Sequence, residues 1–263
     1  MTSHIRGRNG LSKSLKGKVA LITGASRRIG RALSIALAEE GVNIVAHDHR
    51  DREHETAKVC EEVVGCGAKS WNVSADLETP EEYETLIARA LRAAGSLEIL
   101  INNASIFQSG MLMDMGFRDL MRHLHVNAWT PLVLSREFVR LAGRGKIINL
   151  LDTKIAGYDR EHVAYILSKR MLATLTTMCA VQFAPAVTVN AIAPGLILPP
   201  SGQDDAYLES LARTVPLRRH GSPSDITDAA LYLLKGDFVT GQVIYVDGGR
   251  HLREESNGPN RDQ

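Results

Sequence analysis

The sequence predicts an α/β protein: a single domain in which a parallel sheet carries helices on both faces. Short apolar runs alternate along the chain with longer stretches in which apolar residues recur at helical spacing. Several of the short runs are apolar throughout, which is typical of strands that are covered on both faces. With 263 residues, 44% of them hydrophobic, the chain can bury one sizeable core.

The predicted elements alternate between strand and helix from one end of the chain to the other. In the first half they are Val19–Thr23, Ile29–Glu39, Asn43–Ala46, Asp51–Val64, Ser70–Val73, Pro80–Ala93 and Leu97–Ile101. In the second half they are Phe117–Leu141, Lys146–Leu151, Ala164–Phe183, Thr188–Ile192, Ser224–Leu234 and Val243–Val246. The longest irregular stretch, Gly195–Asp205, follows a strand end, where ligands bind in such sheets. We expect it to be a substrate loop; an ordinary surface excursion is the alternative.

Charge and cysteine content narrow the classes of function. Thirty-one basic and thirty acidic residues leave a formal net charge of +1, which predicts no partner among nucleic acids or anionic membranes. The three cysteines are widely spaced and form no metal-ligand pattern, so we expect a reducing compartment and no metal. No apolar run approaches the length that spans a bilayer. We therefore expect a cytoplasmic protein.

The two ends of the chain differ in composition from the predicted domain at residues 16–250. Residues 1–15 are basic and are predicted to be a flexible arm, with an organelle transit peptide as the alternative. Residues 251–263 are charged and poor in apolar side chains, so we expect a C-terminal tail.

A turn rich in small residues joins the first predicted strand to a helix. Gly24 permits a tight turn there, and Gly30 permits close packing of the helix against the strand. Such a turn presents backbone N–H groups and a helix N-terminus to a pyrophosphate. The strict Gly-x-Gly-x-x-Gly pattern is missing, so a generic strand-to-helix turn is the alternative.

Basic residues near this turn favour NADP(H) over NAD(H). A guanidinium pairs bidentately with phosphate, and Arg27 follows the turn. His49 and Arg50 stand where the second strand ends and suit a 2′-phosphate, whereas Asp48 and Asp51 would repel one if they faced it. After the third strand, Asp76-Leu77 is a candidate contact for the adenine edge.

Tyr165 and Lys169 stand four residues apart at the start of a predicted helix, so both side chains project from one face. A nearby ammonium is expected to lower the pKa of the phenol from about 10 towards working pH. The tyrosine would then exchange a proton with a substrate, while the lysine also binds ribose hydroxyls. Two solvated helix residues are the alternative for this pair taken alone.

Five motifs follow one another in a characteristic order: Thr23–Gly30, Asn102-Asn103-Ala104, Asn127, Tyr165-x-x-x-Lys169 and Pro194-Gly195. In this order they resemble the short-chain dehydrogenase/reductase family over residues 16–250. The resemblance implies a Rossmann-like, doubly wound parallel sheet, a nicotinamide cofactor and a homo-oligomer, with a tetramer favoured over a dimer. It also implies that Asn127 holds a water that links Lys169 to solvent.

Two departures from the general family pattern point to one subgroup. Arg28 replaces the middle glycine of the first turn, and Asp152 replaces the serine thirteen residues before the tyrosine. With His49-Arg50 and Ser105-x-Phe107, they resemble pteridine reductases and the related dihydromonapterin and dihydrofolate reductases, which use NADPH. Some of those enzymes have polar residues where this chain has Ile106 and Asp51.

The chemistry of a pterin suits these substitutions. Its reduction needs a hydride at a ring carbon and a proton at the neighbouring nitrogen, and Asp152 beside Tyr165 could supply or relay that proton. Burial would raise the pKa of such a carboxyl. Phe107 offers a stacking face. The alternatives are a core role for Phe107 and a capping role for Asp152.

The predicted catalytic residues are Tyr165, Lys169, Asp152 and Asn127. The predicted substrate contacts are Arg28, Ser105, Phe107, Asp152, Tyr165 and Leu196. The predicted contacts with NADP(H) are Gly24, Ser26, Arg27, Arg28, Ile29, Gly30, His49, Arg50, Asp76, Leu77, Asn103, Ala104, Ser105, Tyr165, Lys169, Pro194 and Gly195.

Three functions remain open at this point. The first is NADPH-dependent reduction of dihydrobiopterin, dihydromonapterin or a dihydrofolate-like pterin. The second is reduction of a ketone, sugar or acyl substrate, although an apolar ketone pocket would not need Arg28. The third is a non-catalytic NADP-binding sensor or scaffold, against which the intact Tyr165, Lys169 and Asn127 speak.

Overall fold

The strands of the fold are short apolar segments that pair side by side in one direction. The computed structural model describes residues 14–200 and 202–252, and within these ranges it contains a seven-stranded parallel sheet. The strands are β1 Val19–Thr23, β2 Asn43–Asp48, β3 Ser70–Ser74, β4 Ile99–Asn102, β5 Gly145–Leu150, β6 Val187–Pro194 and β7 Val243–Val246. Their order in the sheet is β3-β2-β1-β4-β5-β6-β7, so the winding direction reverses between β1 and β4. The predicted fold class is confirmed.

Helices cover both faces of the sheet. They are α1 Arg28–Glu39, α2 Glu53–Gly65, α3 Pro80–Tyr83, α4 Leu86–Ala94, α5 Phe117–Leu124, α6 Thr130–Ala142, α7 Val163–Gln182, α8 Asp205–Ala212 and α9 Pro223–Lys235. A π-helical turn, His125–Trp129, joins α5 to α6. Two short 3-10 turns, Thr153–Ala156 and Arg250–Leu252, follow β5 and β7.

Alternate residues of β1 belong to two hydrophobic clusters, one on each face of the sheet. In β1, Ala20 and Ile22 pack with residues of α1, α2 and α9, whereas Val19 and Leu21 pack on the other face with residues of α4 and α6. This division follows from the two-residue period of a strand. All five residues of β1 are buried, which explains why its sequence is apolar throughout.

Two predicted helices differ from the structure, and one helix of the structure was not predicted. The single helix expected over Pro80–Ala93 is divided into α3 and α4, and the one expected over Phe117–Leu141 contains the π-helical turn. Helix α8, which begins where the predicted irregular stretch ends, was not expected. Its N-cap, Asp204, accepts a hydrogen bond from the backbone N–H of Tyr207 at 3.3 Å.

The predicted domain boundaries change slightly at both ends. Leu15, which we assigned to the N-terminal arm, is buried in the core. His251, which we assigned to the tail, lies in a turn, where its ring stacks on Tyr245 with centroids 4.0 Å apart. The rest of the predicted arm, residues 1–13, and of the tail, residues 253–263, lies outside the described residues.

We predict that Gly30→Ala destabilises the fold. A Cβ at this position would lie 2.0 Å from the carbonyl oxygen of Gly24 and 2.7 Å from Nδ2 of Asn103. Forcing these groups apart should lower the free energy of unfolding by about 1–3 kcal/mol, measured by urea titration. Gly65→Ala is the matched control, because a Cβ there meets nothing within 4 Å, and it should leave the unfolding midpoint unchanged or raise it. Equal midpoints for the two variants would contradict the close approach of helix and turn.

Candidate active site

The turn after β1 places a helix N-terminus at the carboxyl edge of the sheet. Gly24 has a positive φ of 64°, which L side chains rarely adopt, and Gly30 is in contact with it. Asn103, at the end of β4, donates from Nδ2 to the carbonyl oxygens of Thr23 and Gly24 at 2.8 and 3.0 Å. The crevice at the reversal of strand order is therefore bounded by the N–H groups that begin α1.

These residues fit the nicotinamide dinucleotide that the sequence predicts. The contact between Gly30 and the turn leaves no room for a side chain, so the backbone is bare where a pyrophosphate would approach. The side chain of Arg27 is exposed at the N-cap of α1. Ala104 lies against Gly24, so both lie on one wall of the crevice. Ile29 follows in α1, partly buried against the core.

Asp48 is directed at the turn rather than outward. Its carboxylate accepts a hydrogen bond from the Ser26 hydroxyl and another from the backbone N–H of His49 at 2.8 Å, and it lies 3.7 Å from Nε of Arg52. These partners offset the negative charge that we expected to oppose a 2′-phosphate. Arg50 lies nearby and forms an exposed ion pair with Glu82 at 3.0 Å.

Asp76 and Leu77, the candidate adenine contacts, stabilise the loop in which they lie. The carboxylate of Asp76 accepts from the backbone N–H of Glu78 at 2.8 Å and from the hydroxyl of Thr79 at 3.2 Å. Leu77 is buried in the core, and its carbonyl oxygen accepts from Thr130 at 2.9 Å. An adenine contact at this loop stays a prediction, and the burial of Leu77 leaves Asp76 as the better candidate.

Tyr165 and Asp152 form a hydrogen-bonded pair. The phenol donates to Oδ2 of Asp152 at 3.1 Å, while Oδ1 accepts from the backbone N–H of Lys154 at 2.8 Å. The capping role that we held as an alternative for Asp152 is therefore present, and it uses the other oxygen. Burial raises the pKa of the Asp152 carboxyl, in the direction that the sequence predicted.

Lys169 lies on the same face of α7 as Tyr165. Its side chain is buried, and Nζ donates to the carbonyl oxygen of Leu150 at 2.7 Å and lies 5.7 Å from the centroid of the Tyr165 ring. Burial lowers the pKa of this ammonium to about 8, although the charge of Asp152 opposes the shift. The structure thus brings three of the four predicted catalytic residues together.

The net shift in the pKa of Tyr165 is opposite to the lowering that we expected from Lys169. The pKa of Tyr165 is raised well above its ordinary value, first by burial and then by the charge and hydrogen bond of Asp152. An anionic phenolate beside a buried carboxylate is unfavourable in a low dielectric. Tyr165 therefore keeps its proton in the free protein.

Asn127, the fourth predicted catalytic residue, lies in the π-helical turn and clamps the loop that follows β4. Its Oδ1 accepts from the backbone N–H of Ile106 at 2.9 Å and from the Ser105 hydroxyl at 3.1 Å. Its Nδ2 donates to the carbonyl oxygen of Ile106 and to the hydroxyl of Ser168, both at 3.0 Å. Both ends of the amide have protein partners, so the relay through Asn127 stays a prediction, as does a ligand contact of Ser105.

Phe107 is 53% exposed, so a core role for it is wrong. Its ring meets the Tyr165 ring edge to face, with centroids 4.7 Å apart and planes at 86°. One of its faces is stacked on the His162 ring, with centroids 4.2 Å apart and planes at 14°. A flat ligand can therefore stack only on the opposite face of Phe107.

Comparison with known proteins places this site in a family. Residues 24–251 match a family model described as enoyl-(acyl carrier protein) reductase, one of the models of short-chain enzymes. An uncharacterized oxidoreductase of Mycobacterium tuberculosis is 34% identical, with 89% of this chain and 92% of the relative covered. The 3-oxoacyl-[acyl-carrier-protein] reductase FabG of Staphylococcus aureus is 32% identical, with 89% and 98% covered. The chain belongs to the short-chain dehydrogenase/reductase family.

A solved structure of the same fold bears on the cofactor. The FolM alternative dihydrofolate reductase 1 of Brucella canis, complexed with NADP, superposes with a TM-score of 0.85 at 30% identity, with 93% of this chain and 98% of that chain covered. Our prediction of NADP(H) agrees with that complex. The chain is an NAD(P)-dependent reductase of the short-chain family.

Arg28 holds the loop that follows β6. Arg28 has a positive φ of 53°, which accounts for the glycine that most members of this short-chain family have there. Its guanidinium donates to the carbonyl oxygens of Pro199 and Leu198, at 2.8 and 3.4 Å. Contacts of Arg28 with a phosphate or a pterin stay predictions, and in this structure its guanidinium is engaged by the loop after β6.

The beginning of the same loop is packed closely against β7. A Cβ on Gly195 would lie 2.5 Å from Cβ of Asp247. The carbonyl oxygen of Leu196 accepts from the backbone N–H of Gly221 at 2.8 Å. Pro194 ends β6, two residues beyond the predicted strand. The roles of Pro194, Gly195 and Leu196 toward ligands stay predictions.

Sequence reasoning missed two residues next to the site. Asp159 and His162 precede α7, and His162 supports Phe107 as described above. No spacing rule singles them out, because Phe107 belongs to a distant part of the chain. In the parts of the chain that the structure describes, no helix is long and apolar enough to cross a membrane. The same parts hold no cluster of three metal-ligating side chains.

We predict that kcat/KM for reduction declines as the pH rises through about 8, because Lys169 loses its proton there whereas Tyr165 does not. The charge of Asp152 raises the pKa of Lys169, so Asp152→Asn should move the decline of the residual rate to lower pH. Lys235→Ala is the control, since Lys235 pairs with Glu40 far along the chain from the site. A decline at the same pH in Asp152→Asn would contradict this assignment.

Proposed function

We propose that this protein is an NADPH-dependent reductase of pterin rings, such as dihydrobiopterin, dihydromonapterin or a dihydrofolate-like substrate. The observation that carries the proposal is the hydrogen bond between Tyr165 and Asp152 beside the exposed ring of Phe107. A proton donor therefore stands next to a flat apolar surface. The FolM enzyme of Brucella canis, named as an alternative dihydrofolate reductase, supports this substrate class.

The crevice between the turn after β1 and the start of α7 would hold the cofactor. Gly24 and Gly30 would admit its pyrophosphate, Arg27 with His49 and Arg50 would receive the 2′-phosphate, and Lys169 would bind the ribose hydroxyls. The bound nicotinamide supplies a hydride to the substrate. Arg27 carries the preference for NADPH, because Arg50 already pairs with Glu82.

The Tyr165–Asp152 pair would deliver the proton. The raised pKa of Tyr165 keeps a proton on the phenol, and the burial that raises the pKa of Asp152 favours the neutral form of that carboxyl. Lys169 holds a positive charge near the tyrosine ring, which stabilises negative charge on the phenol oxygen as its proton leaves. Asp152 then returns a proton to Tyr165 through their hydrogen bond.

The substrate would lie on the free face of Phe107. Stacking on an aromatic ring favours a flat heterocycle and contributes about 0.5–1.5 kcal/mol beyond burial. Ser105, Leu196 and Arg28 would supply the remaining substrate contacts. Arg28 would have to release the carbonyl oxygen of Pro199 in order to reach a ligand.

We also propose that the protein assembles into a homo-oligomer. Large apolar side chains are exposed along α5 to α7, among them Met121, Trp129, Met178 and Val181. Met121 and Trp129 line a groove of about 590 Å³. Burial of this face favours a homo-oligomer, either a tetramer or a dimer.

Reduction of a ketone or an acyl group is the second candidate, and the resemblance to FabG of Staphylococcus aureus favours it. The deciding experiment follows NADPH oxidation at about 340 nm, the absorbance of the reduced cofactor. Dihydrobiopterin, dihydromonapterin and dihydrofolate are compared with diacetyl and an acetoacetyl thioester. We expect turnover of at least one pterin, and turnover of the carbonyl compounds alone would reject the pterin proposal.

We predict different effects for the two members of the proton-donating pair. Tyr165→Phe removes the donor and should lower kcat for a pterin about 100-fold or more. Asp152→Ser should also lower kcat while the Kd for NADPH, measured by fluorescence titration, stays unchanged. An unchanged kcat in Asp152→Ser would mean that the carboxyl takes no part in proton transfer.

We predict that Arg27→Ala weakens the binding of NADPH but not that of NADH. Loss of one charge-assisted contact with the 2′-phosphate should raise the Kd for NADPH about tenfold and leave the Kd for NADH nearly unchanged. Arg31→Ala is the matched control, because Arg31 lies on the same helix and pairs with Glu62 at 2.7 Å. If Arg27→Ala raised the Kd values for NADPH and NADH equally, Arg27 would not contact the 2′-phosphate.

A further inference from the structure

His162 is stacked on one face of Phe107. The two rings are nearly parallel, with centroids 4.2 Å apart and planes at 14°. Phe107 also meets Tyr165 edge to face at 4.7 Å. The plane of Phe107 is therefore determined by two rings at the start of α7, one of which carries the proton donor.

The His162 ring is itself held in place. Its Nδ1 lies 3.0 Å from Oδ2 of Asp159, whose carboxylate is only 5% exposed and is also paired with Lys154. The other oxygen of Asp159 accepts from the backbone N–H of Glu161 at 2.8 Å. Although burial opposes it, the hydrogen bonds from Lys154 and Glu161 hold the pKa of Asp159 below its ordinary value. Asp159 thus remains an anion that orients the imidazole.

Backbone hydrogen bonds join the two loops that carry these rings. The N–H of Gly110 donates to the carbonyl oxygen of Glu161 at 2.7 Å, and the N–H of Val163 donates to that of Gly110 at 3.2 Å. The loop of Phe107 is therefore attached to the residues on either side of His162. The stacked pair has little freedom to slide apart.

The same segment also supports the proton donor. Lys154 pairs with Asp159 through its side chain, and its backbone N–H donates to Asp152 at 2.8 Å. One buried carboxylate, Asp159, consequently connects the ring behind Phe107 with the turn that holds Asp152. The surface for stacking and the proton donor are built on one continuous network.

We propose that His162, oriented by Asp159, is a specificity-determining positioning residue. It sets the plane of Phe107 and thereby selects flat ring substrates over aliphatic carbonyl compounds. This inference deepens the proposed function and rests on it, since it assigns the backing of the surface on which a pterin would stack. His162 acts through Phe107 and has no part in proton transfer.

The test compares four variants by their KM, kcat and cofactor affinity. His162→Ala removes the ring that stacks on Phe107. His162→Phe keeps an aromatic ring but loses the hydrogen bond to Asp159, whereas His162→Gln keeps a polar group without a ring. Asp159→Asn removes the negative charge that orients the His162 imidazole. The substrates are the pterin that the wild type reduces and diacetyl. His54→Ala, an exposed position on α2, is the matched control.

We expect His162→Ala and His162→Gln to raise KM for the pterin about three- to tenfold, with a smaller change in kcat. His162→Phe should restore most of the affinity, and Asp159→Asn should lie between it and His162→Ala. KM for diacetyl and the Kd for NADPH should stay within about twofold of wild type in all four, since a twofold change is within the usual spread for surface substitutions.

Two results would overturn the inference, and they are distinguishable. A wild type that reduces pterins, with an unchanged pterin KM in His162→Ala, shows that the backing ring does not affect specificity. A wild type that reduces no pterin rejects both the proposed function and the inference. Should His162→Ala fail to fold, the comparison of His162→Phe with His162→Gln decides, and equal pterin KM values for these two contradict the role of the ring.

Discussion

The parallel pairing of all seven strands is the constraint on which the rest of the structure depends. It brings every carboxyl strand end to one edge of the sheet, and the reversal of order between β1 and β4 opens a crevice there. Thr23, Asn103 and Asp152 come from different strand ends and reach the same region only for this reason. Two-sided burial of the sheet makes the arrangement rigid, because strands apolar on both faces cannot shift without exposing core.

Within that crevice, the pKa values of the three central side chains are set mainly by burial and less by neighbouring charges. Tyr165, Asp152 and Lys169 are all shielded from water, and each pKa shifts towards the neutral form: the two acids upward and the ammonium downward. A site of this kind holds protons on its acids and suits a reaction that consumes a proton. The hydrogen bond between phenol and carboxyl makes the two acids a coupled pair, whose titration belongs to both residues.

The departures from the general family pattern have structural consequences beyond the substrate. Arg28 occupies a backbone conformation that suits glycine, and its guanidinium joins the phosphate-binding turn to the loop after β6. Asp152 supports both the tyrosine and the turn that contains Lys154. The two departures thus connect the turn after β1 with the loop after β6, and Tyr165 with the turn after β5.

The sequence by itself determined the fold class, the family and most of the candidate site, because buried parallel strands, a glycine turn and the Tyr165/Lys169 spacing are local patterns. It predicted β1 and β7 with the bounds that the structure has. It could not place the π-helical turn, since one extra residue per turn barely disturbs apolar periodicity. Only the tertiary structure decided the pKa direction of Tyr165 and the stacking of Phe107 on His162. Both depend on burial and on contacts between residues far apart in the chain, which no local pattern contains.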